Sequence, residues 1–313
     1  MSGKIKSVSI ILIILGGILW YASTFSSEIH FNSPFSFLKS NPQVSVLVVG
    51  DIMLDRSVRN NINKIGFDVF FDGVRELISN VDLAVANLEG PFTTFPSVTA
   101  NVKNGELKFT FDPALAPQMS SLGFDILGLA NNHTMNFGRE GYEMTKEYIK
   151  RSGMSYYGDP NNSSELSTVV NINGIRIGFV GFHEFTYVNF EKVFNEIERI
   201  RPEVDFLVVT PHWGIEYQAE PTEKMRKWAH EFIDSGADVV IGAHPHVIGN
   251  VEEYNSKKIY YSLGNFAFDQ YFSVETSEGL AVKIDLEKVD DKIEALYALT
   301  HVSIDRQGVS VSR

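Results

Sequence analysis

The chain has 313 residues, 44% of them hydrophobic and 21% charged, with a formal net charge of -12 and no cysteine. That length and apolar share support a large core in one or two domains and exclude a disordered or fibrous chain. The acidity argues against nucleic acid as a partner, which needs a basic face, and the missing cysteine excludes disulfides, thiolate metal sites and a cysteine nucleophile.

Lys4 and Lys6 precede an uncharged stretch, "SVSIILIILGGILWYASTF", over residues 7–25. About 20 apolar residues cross a bilayer as a helix, and lysines before the span keep the N-terminus in the cytoplasm. Residues 1–25 therefore predict a single-pass cell-membrane anchor with an extracytoplasmic domain behind it; a cleaved signal segment is the alternative. Residues 26–42, with Ser, Asn and Pro and no period, read as a linker, and residues 43–313 as the folded domain.

Residues 44–49, "VSVLVV", form a continuous apolar, β-branched run of the kind covered on both faces in α/β proteins. Runs of the same character lie at 82–88, 125–131, 175–182, 204–210 and 237–243. Helical patterns fall between them, at 72–80, at 138–153 with its Gly stop, and at 221–236 with a Pro start and Gly end. Beyond Gly242, "KIYYSLGNF", "EGLAVKIDL" and "KIEALYALT" read as further strands. Strand–helix alternation followed by extra strands predicts a layered α/β sandwich, with functional groups in loops at the C-terminal strand ends.

Those ends carry a distinctive set. Asp51 follows the first run, Glu89 the second, Asn131, Asn132 and His133 the third, His212 the run at 204–210, and His244 and His246 the last. Each residue alone has a structural reading as a cap, loop charge or core histidine. Recurrence at five strand ends favours a metal site, and the mixture of oxygen and imidazole donors suits Mn, Fe or Zn better than Ca. His244 and His246, at i and i+2 of an extended segment, face the same way. His183 falls at the rim, Asp55 beside Arg56 reads as an ion-pair partner, and His30, His230 and His301 read as structural or exposed. No G-x-S-x-G elbow, P-loop or G-x-G-x-x-G occurs.

The blocks "VVGDIMLDR", "NLEGPFTT", "LGLANNHTMNFGREGY", "PHWGIEYQAEPT", "IGAHPHVIGNVE" and "YYSLGNFAFDQ" resemble the CapA capsule-synthesis family, also called the poly-gamma-glutamate biosynthesis family, over about residues 46–269. The resemblance implies a fold similar to calcineurin-like metallophosphoesterases, a four-layer αββα sandwich. It also implies one or two divalent ions. Asp51 matches the first metal aspartate, Glu89 the bridging position, Asn132 and His133 the "GNH" block, His212 the isolated ligand, and His244 with His246 the terminal "GHxH" block. Met53 stands where phosphoesterases carry a histidine, and "NLEGP" replaces their second motif.

The implied roles are Glu89 as bridge, Asn132, His212 and His244 around one ion, Asp51 and His246 around the other, and His133 as general acid. Glu216, Tyr217 and Asn265 would contact substrate, with Arg139 as a candidate for an anionic group. The expected function is a metal-dependent hydrolase using metal-activated water on a phosphoester or amide of an anionic surface polymer such as poly-gamma-glutamate. The alternatives are a non-catalytic polymer-binding subunit docked to membrane synthase subunits and a purely structural metalloprotein.

Overall fold

The computed structural model describes residues 41–99, 107–186 and 190–312. The run at 44–49 lies in β1 (Gln43–Ile52), whose side chains alternate between two apolar clusters: Val44, Val46 and Val48 in one, Leu47 and Val49 in the other. β1 pairs in parallel with β2 (Leu83–Leu88), and the parallel order continues through β3 (Ile126–Gly128) to β4 (Ser155–Tyr157). On its other side β1 runs antiparallel to β12 (Glu278–Val289), followed by β13 (Lys292–Asp305) and β14 (Gly308–Val311). β11 (Asn265–Ala267) pairs with the end of β1 and completes an eight-stranded sheet.

A second, six-stranded sheet starts with the antiparallel pair β5 (Ser167–Ile172) and β6 (Ile175–His183). It continues in parallel through β7 (Phe206–His212), β8 (Val239–Ile241) and β10 (Lys257–Tyr260), and ends on antiparallel β9 (Val251–Tyr254). Three apolar clusters order the layers. One joins inner residues of both sheets, including Val46, Val85 and Val282 with Ile177, Val208 and Val239. A second packs the other face of the eight-stranded sheet against α1 (Arg56–Ile65), α2 (Phe67–Phe70), α3 (Arg75–Ser79), α4 (Leu115–Leu122) and α5 (Gly138–Arg151). The third packs Val180, Val209 and Val240 against α6 (Phe190–Ile200) and α7 (Glu223–Asp234). The mixed α/β architecture expected from the sequence is the one observed, stacked helix, sheet, sheet, helix.

Some expectations change. The run at 237–243 is strand only over Val239–Ile241, followed by an isolated bridge from Ala243 to His212 before the backbone kinks at His244. "KIYYSLGNF" is not one strand: Lys257–Tyr260 belongs to the six-stranded sheet and Asn265–Ala267 to the eight-stranded one, with Gly264 at φ 70° in the crossing. α1, α2, α4 and α6 are additions. The proposed anchor (1–25) lies outside the described residues, as does the proposed linker (26–42) except for Asn41 and Pro42. Among the described residues no helix is long and apolar enough to cross a membrane.

Asp55 ties the end of β1 to its surroundings. It is fully buried and accepts hydrogen bonds from Arg59 Nε (2.8 Å), Ser97 Oγ (2.7 Å), Thr99 Oγ1 (3.1 Å) and the Thr110 N–H (3.0 Å). Burial alone would raise its pKa, but the bonds from Thr110, Ser97 and Arg59 outweigh it and hold the carboxyl below its ordinary value. Asp55→Ala should destabilise the protein by about 3 kcal/mol in urea unfolding at neutral pH, because Arg59 and three donors lose their acceptor. A depressed native pKa places this stabilisation above the unfolded value of about 3.9, and it is lost as pH falls through the native value. The gap between wild type and variant should therefore narrow below about pH 4; a constant gap would show that ionised Asp55 is not what binds these donors.

Candidate metal centre

The C-terminal ends of the parallel strands in both sheets meet at one place. Asp51 is paired in register with Asn87 of β2 and Asn265 of β11, so the crossing after Tyr260 is what brings Asn265 to it. Asp51 Oδ1 accepts from Asn87 Nδ2 (2.7 Å), and Oδ2 accepts from the His244 N–H (3.2 Å). Glu89, one residue past β2, donates its N–H to Ile52 O (2.9 Å). Its side chain is fully buried, yet neither carboxylate oxygen has a hydrogen-bond partner.

After β3 the chain turns on Asn131, whose Oδ1 accepts from the N–H groups of His133 (3.1 Å) and Thr134 (3.0 Å) and whose Nδ2 donates to Leu88 O (2.9 Å). Asn131 is committed to shaping the turn, and it is Asn132 that reaches the site, with Oδ1 2.9 Å from His212 Nε2. From the other sheet, His212 ends β7, and "GAHPH" follows β8. Gly242 is obligatory there: a Cβ would stand 2.2 Å from Tyr261 O and 2.6 Å from Trp213 Nε1. His244 (φ 99°) and His246 (φ 58°) both take left-handed backbone, which is uncommon away from glycine.

Two groups of possible ligand atoms result, Glu89–His212–His244 and Asp51–Glu89–His246, each with its atoms within 4.8 Å of one another. Glu89 belongs to both. A buried carboxylate with two bare oxygens is costly unless a cation or donor meets it. His244, in the first of these groups, also has a buried Nδ1 without a hydrogen-bond partner. The residues therefore fit a divalent cation with nitrogen and oxygen ligands.

Burial and neighbouring imidazoles push His212 well below the usual histidine range, and burial lowers His244 to about 3. For His246 burial works against the charge, but Glu89 first, then the bond to Asp51, raise it to about 9. Its Nδ1 lies 3.2 Å from Asp51 Oδ2 and 3.0 Å from Asn265 Oδ1, and its Nε2 lies 3.6 Å from Glu89 Oε1. Asn265 Nδ2 donates to Gln270 Oε1 and Thr276 O, so its oxygen is the group turned to His246.

His133 stands beside the groups, Nε2 3.9 Å from Glu89 Oε1, with its ring 4.3 Å from that of Phe109. The Phe109 N–H donates to Asn136 Oδ1 (2.6 Å), so that oxygen is an acceptor, and His133 Nδ1 facing it at 3.1 Å carries the proton. Burial keeps the ring neutral by lowering its pKa to about 4. Neutral His133 thus presents a lone pair at Nε2, whereas the general-acid role expected from the sequence needs a proton there.

Of the expected substrate contacts, Glu216 acts electrostatically on Glu89 and His246, and Tyr217, itself at φ 65°, has its ring 6.4 Å from that of His246. Arg139 is a different case: its side chain is exposed on α5 and bonded to Glu143 at 3.1 Å. Met53, at the position of the missing histidine, is buried in the apolar cluster and its Sδ accepts from the Asp55 N–H.

Two residues gain importance. Asn87, a polar residue inside the buried strand β2, links Asp51 to Asn131: its Nδ2 donates to Asp51 Oδ1 and lies 3.3 Å from His212 Nδ1, and its Oδ1 accepts from Asn131 Nδ2 (3.0 Å). Its place within an apolar run was the signal available. His183 is buried, with Nδ1 donating to Pro160 O (2.7 Å) and Nε2 unpartnered, its ring 6.1 Å from that of His212.

Residues 45–270 match the family described as "Bacterial capsule synthesis protein PGA_cap". The "Capsule biosynthesis protein CapA" of Bacillus anthracis is 28% identical over 285 residues, covering 85% of this chain and 69% of that protein. The "PGA biosynthesis protein CapA" of Bacillus subtilis (strain 168) is 29% identical over 266 residues, covering 80% and 69%. A 5'-nucleotidase structure from Candida albicans SC5314 aligns with a TM-score of 0.41 at 13% identity over 82% of this chain and 51% of that one, a likeness too distant to bear on the site.

Mn²⁺ should raise the melting temperature of wild type in a chelator-reversible way, since a ligand bound only by the native state stabilises it. Glu89→Ala should abolish the shift. His244→Ala and His246→Ala should each lose bound metal by elemental analysis. Because His246 holds a proton up to about pH 9 and a ligand must give it up, Mn²⁺ affinity should weaken as pH falls. A shift that survives Glu89→Ala would remove Glu89 from the centre.

Proposed function

The chain belongs to the bacterial capsule synthesis protein family PGA_cap, and on that premise we propose that it is a divalent-metal-dependent hydrolase of an anionic surface polymer. The class of polymer is that named for its relatives, poly-gamma-glutamate, and the bond cleaved is an amide or a phosphoester. In this proposal residues 1–25 anchor the protein in the cell membrane, with the described domain outside and within reach of membrane synthase subunits. The observation that carries the hydrolase reading is Glu89, a buried carboxylate with two unpartnered oxygens, shared between two ligand groups and facing a neutral His133.

Glu89 with Asn132, His212 and His244 would hold one cation, and Glu89 with Asp51 and His246 a second. A bound cation supplies Lewis acidity toward water and a substrate oxygen. His133 supplies the proton traffic. Asn136 holds Nδ1–H, so Nε2 is free to take a proton from the attacking water. The same Nε2 then returns it to the leaving nitrogen or oxygen. His133 therefore serves as base first and as acid second, which reconciles the family-implied acid role with its tautomer. Phe109, against the ring, limits its motion and excludes water.

The test uses the full chain with Mn²⁺, a gamma-linked glutamate oligomer and a phosphodiester. Cleavage of one of them is expected. His133→Ala should lower kcat by about 10²–10⁴ while leaving metal content unchanged. A metal-loaded chain that binds the oligomer tightly and cleaves neither compound would refute the hydrolase reading in favour of an accessory polymer binder.

A further inference from the structure

Arg56, the last residue of "GDIMLDR", is held in an unusual way. Its φ is 55°, a left-handed conformation that costs a non-glycine residue roughly 1–2 kcal/mol. The residues on either side hold it there. Asp55 is locked into its buried hydrogen-bond network. The Ser57 N–H donates to Asp269 Oδ2 (3.1 Å), and the same oxygen takes Arg56 Nε at 3.2 Å. Asp269 is itself buried and directly follows Phe268, whose ring lies 4.6 Å from that of His246.

The guanidinium lies among residues that flank the metal centre. Its Cζ lies 5.9 Å from the ring of Phe109, whose ring lies 4.3 Å from that of His133, and its charge acts on the Tyr217 hydroxyl. The Asp269 ion pair is made through Nε. Among the described residues neither Nη group has a hydrogen-bond partner, and the side chain is 31% exposed. Of the charged side chains already placed at the centre, Asp51, Glu89 and Glu216 are acids, and the one cationic group, His246, is buried between Asp51 and Glu89. An anionic substrate needs a positive group beyond any cation, and the planar Nη edge of an arginine matches a carboxylate or phosphoryl group in two-point contact.

We propose that Arg56 is an anion-binding residue of this centre, its Nη edge receiving a carboxylate or phosphoryl oxygen of the substrate beside His133, with Asp269 as the residue that positions it. This rests on the reading of the centre as acting on a polyanionic polymer. It assigns to Arg56 the role that the sequence suggested for Arg139. A purely structural Arg56–Asp269 pair would contribute to melting temperature and leave ligand affinity alone, so the two roles separate by experiment.

The test measures dissociation constants of inorganic phosphate and of a gamma-linked glutamate oligomer for the full Mn²⁺-loaded chain by calorimetry, with metal content and melting temperature in parallel. Arg56→Gln should weaken at least one probe by about ten- to a hundredfold, the scale of a charge-assisted hydrogen bond. A loss confined to the oligomer identifies a carboxylate as the group bound; a loss confined to phosphate identifies a phosphoryl group. If Arg56→Gln lowers metal content or melting temperature, Arg56→Lys decides: it retains a charge for Asp269 but not the fork, and should weaken binding severalfold at unchanged melting temperature.

Unchanged affinity for both probes in the decisive variant would overturn the proposal, as would a wild type that binds neither at millimolar concentration. Affinity is read without turnover. A chain that binds through Arg56 but cleaves nothing defeats the hydrolase reading alone, and cleavage with unchanged affinity in the variants defeats the Arg56 assignment alone.

Discussion

A carboxylate buried without hydrogen bonds is the constraint around which this domain is arranged. Glu89 is fully enclosed, and both of its oxygens lack a hydrogen-bond partner. Taking such a group out of water costs several kcal/mol unless positive charge meets it. The histidines around Glu89 are His246, His133, His212 and His244, and of these only His246 is pushed toward its cationic form. A proton on His246 meets part of the need; a divalent cation between Glu89 and its histidines would meet the rest. The chemistry attributed to the site follows from that deficit.

Delivering those groups requires both sheets. Parallel strands place Asp51, Glu89 and the Asn132–His133 turn at the end of one sheet, and His183, His212 and the His244–His246 turn at the end of the other. Three backbone kinks then aim the side chains, at Arg56, His244 and His246, each a non-glycine residue at positive φ. Such strain persists only where surrounding contacts over-determine it. Around Arg56 they are the Asp55 and Asp269 bonds. Around His244 they include its N–H to Asp51, and around His246 its ring bonds to Asp51 and Asn265.

The core strands were legible because two-sided burial leaves continuous apolar runs, as in β1, β2, β6 and β7. The polar residues terminating those runs were legible for the same reason, since they interrupt an apolar pattern. α1 was not, because "RSVRNNINKI" buries only Val58 and Ile62 and carries three asparagines. α6 had a visible signal, with Val193 and Ile197 at helical spacing, in a segment not singled out. What no local pattern could reveal is partnership across sheets. The splitting of "KIYYSLGNF" between two sheets depends on tertiary pairing, and so does the difference between Arg139, which faces solvent beside Glu143, and Arg56, which faces the centre.

The tautomers of three histidines point to a common design. His133 gives its Nδ1 proton to Asn136, His183 to Pro160 O, and His246 faces Asn265 Oδ1 and Asp51 through Nδ1. In each case the partner accepts at Nδ1, leaving Nε2 as the inward atom; His133 and His183, kept neutral by burial, carry a lone pair there, and His246 does so once it gives up its proton. An imidazole whose Nδ1–H is tied to a carbonyl or carboxylate is a better electron-pair donor at Nε2 and is fixed in orientation. The centre therefore offers lone pairs to whatever enters it, a preference for cations and for protons in transit. His183 does this outside both ligand groups, so the same hydrogen-bonding device extends past the residues that the ligand pattern alone would select. Recognition of an anionic substrate is then left to the rim, where Arg56 supplies a positive edge that His133, His183 and His212, held neutral by burial, and His246, spent on Asp51 and Glu89, cannot.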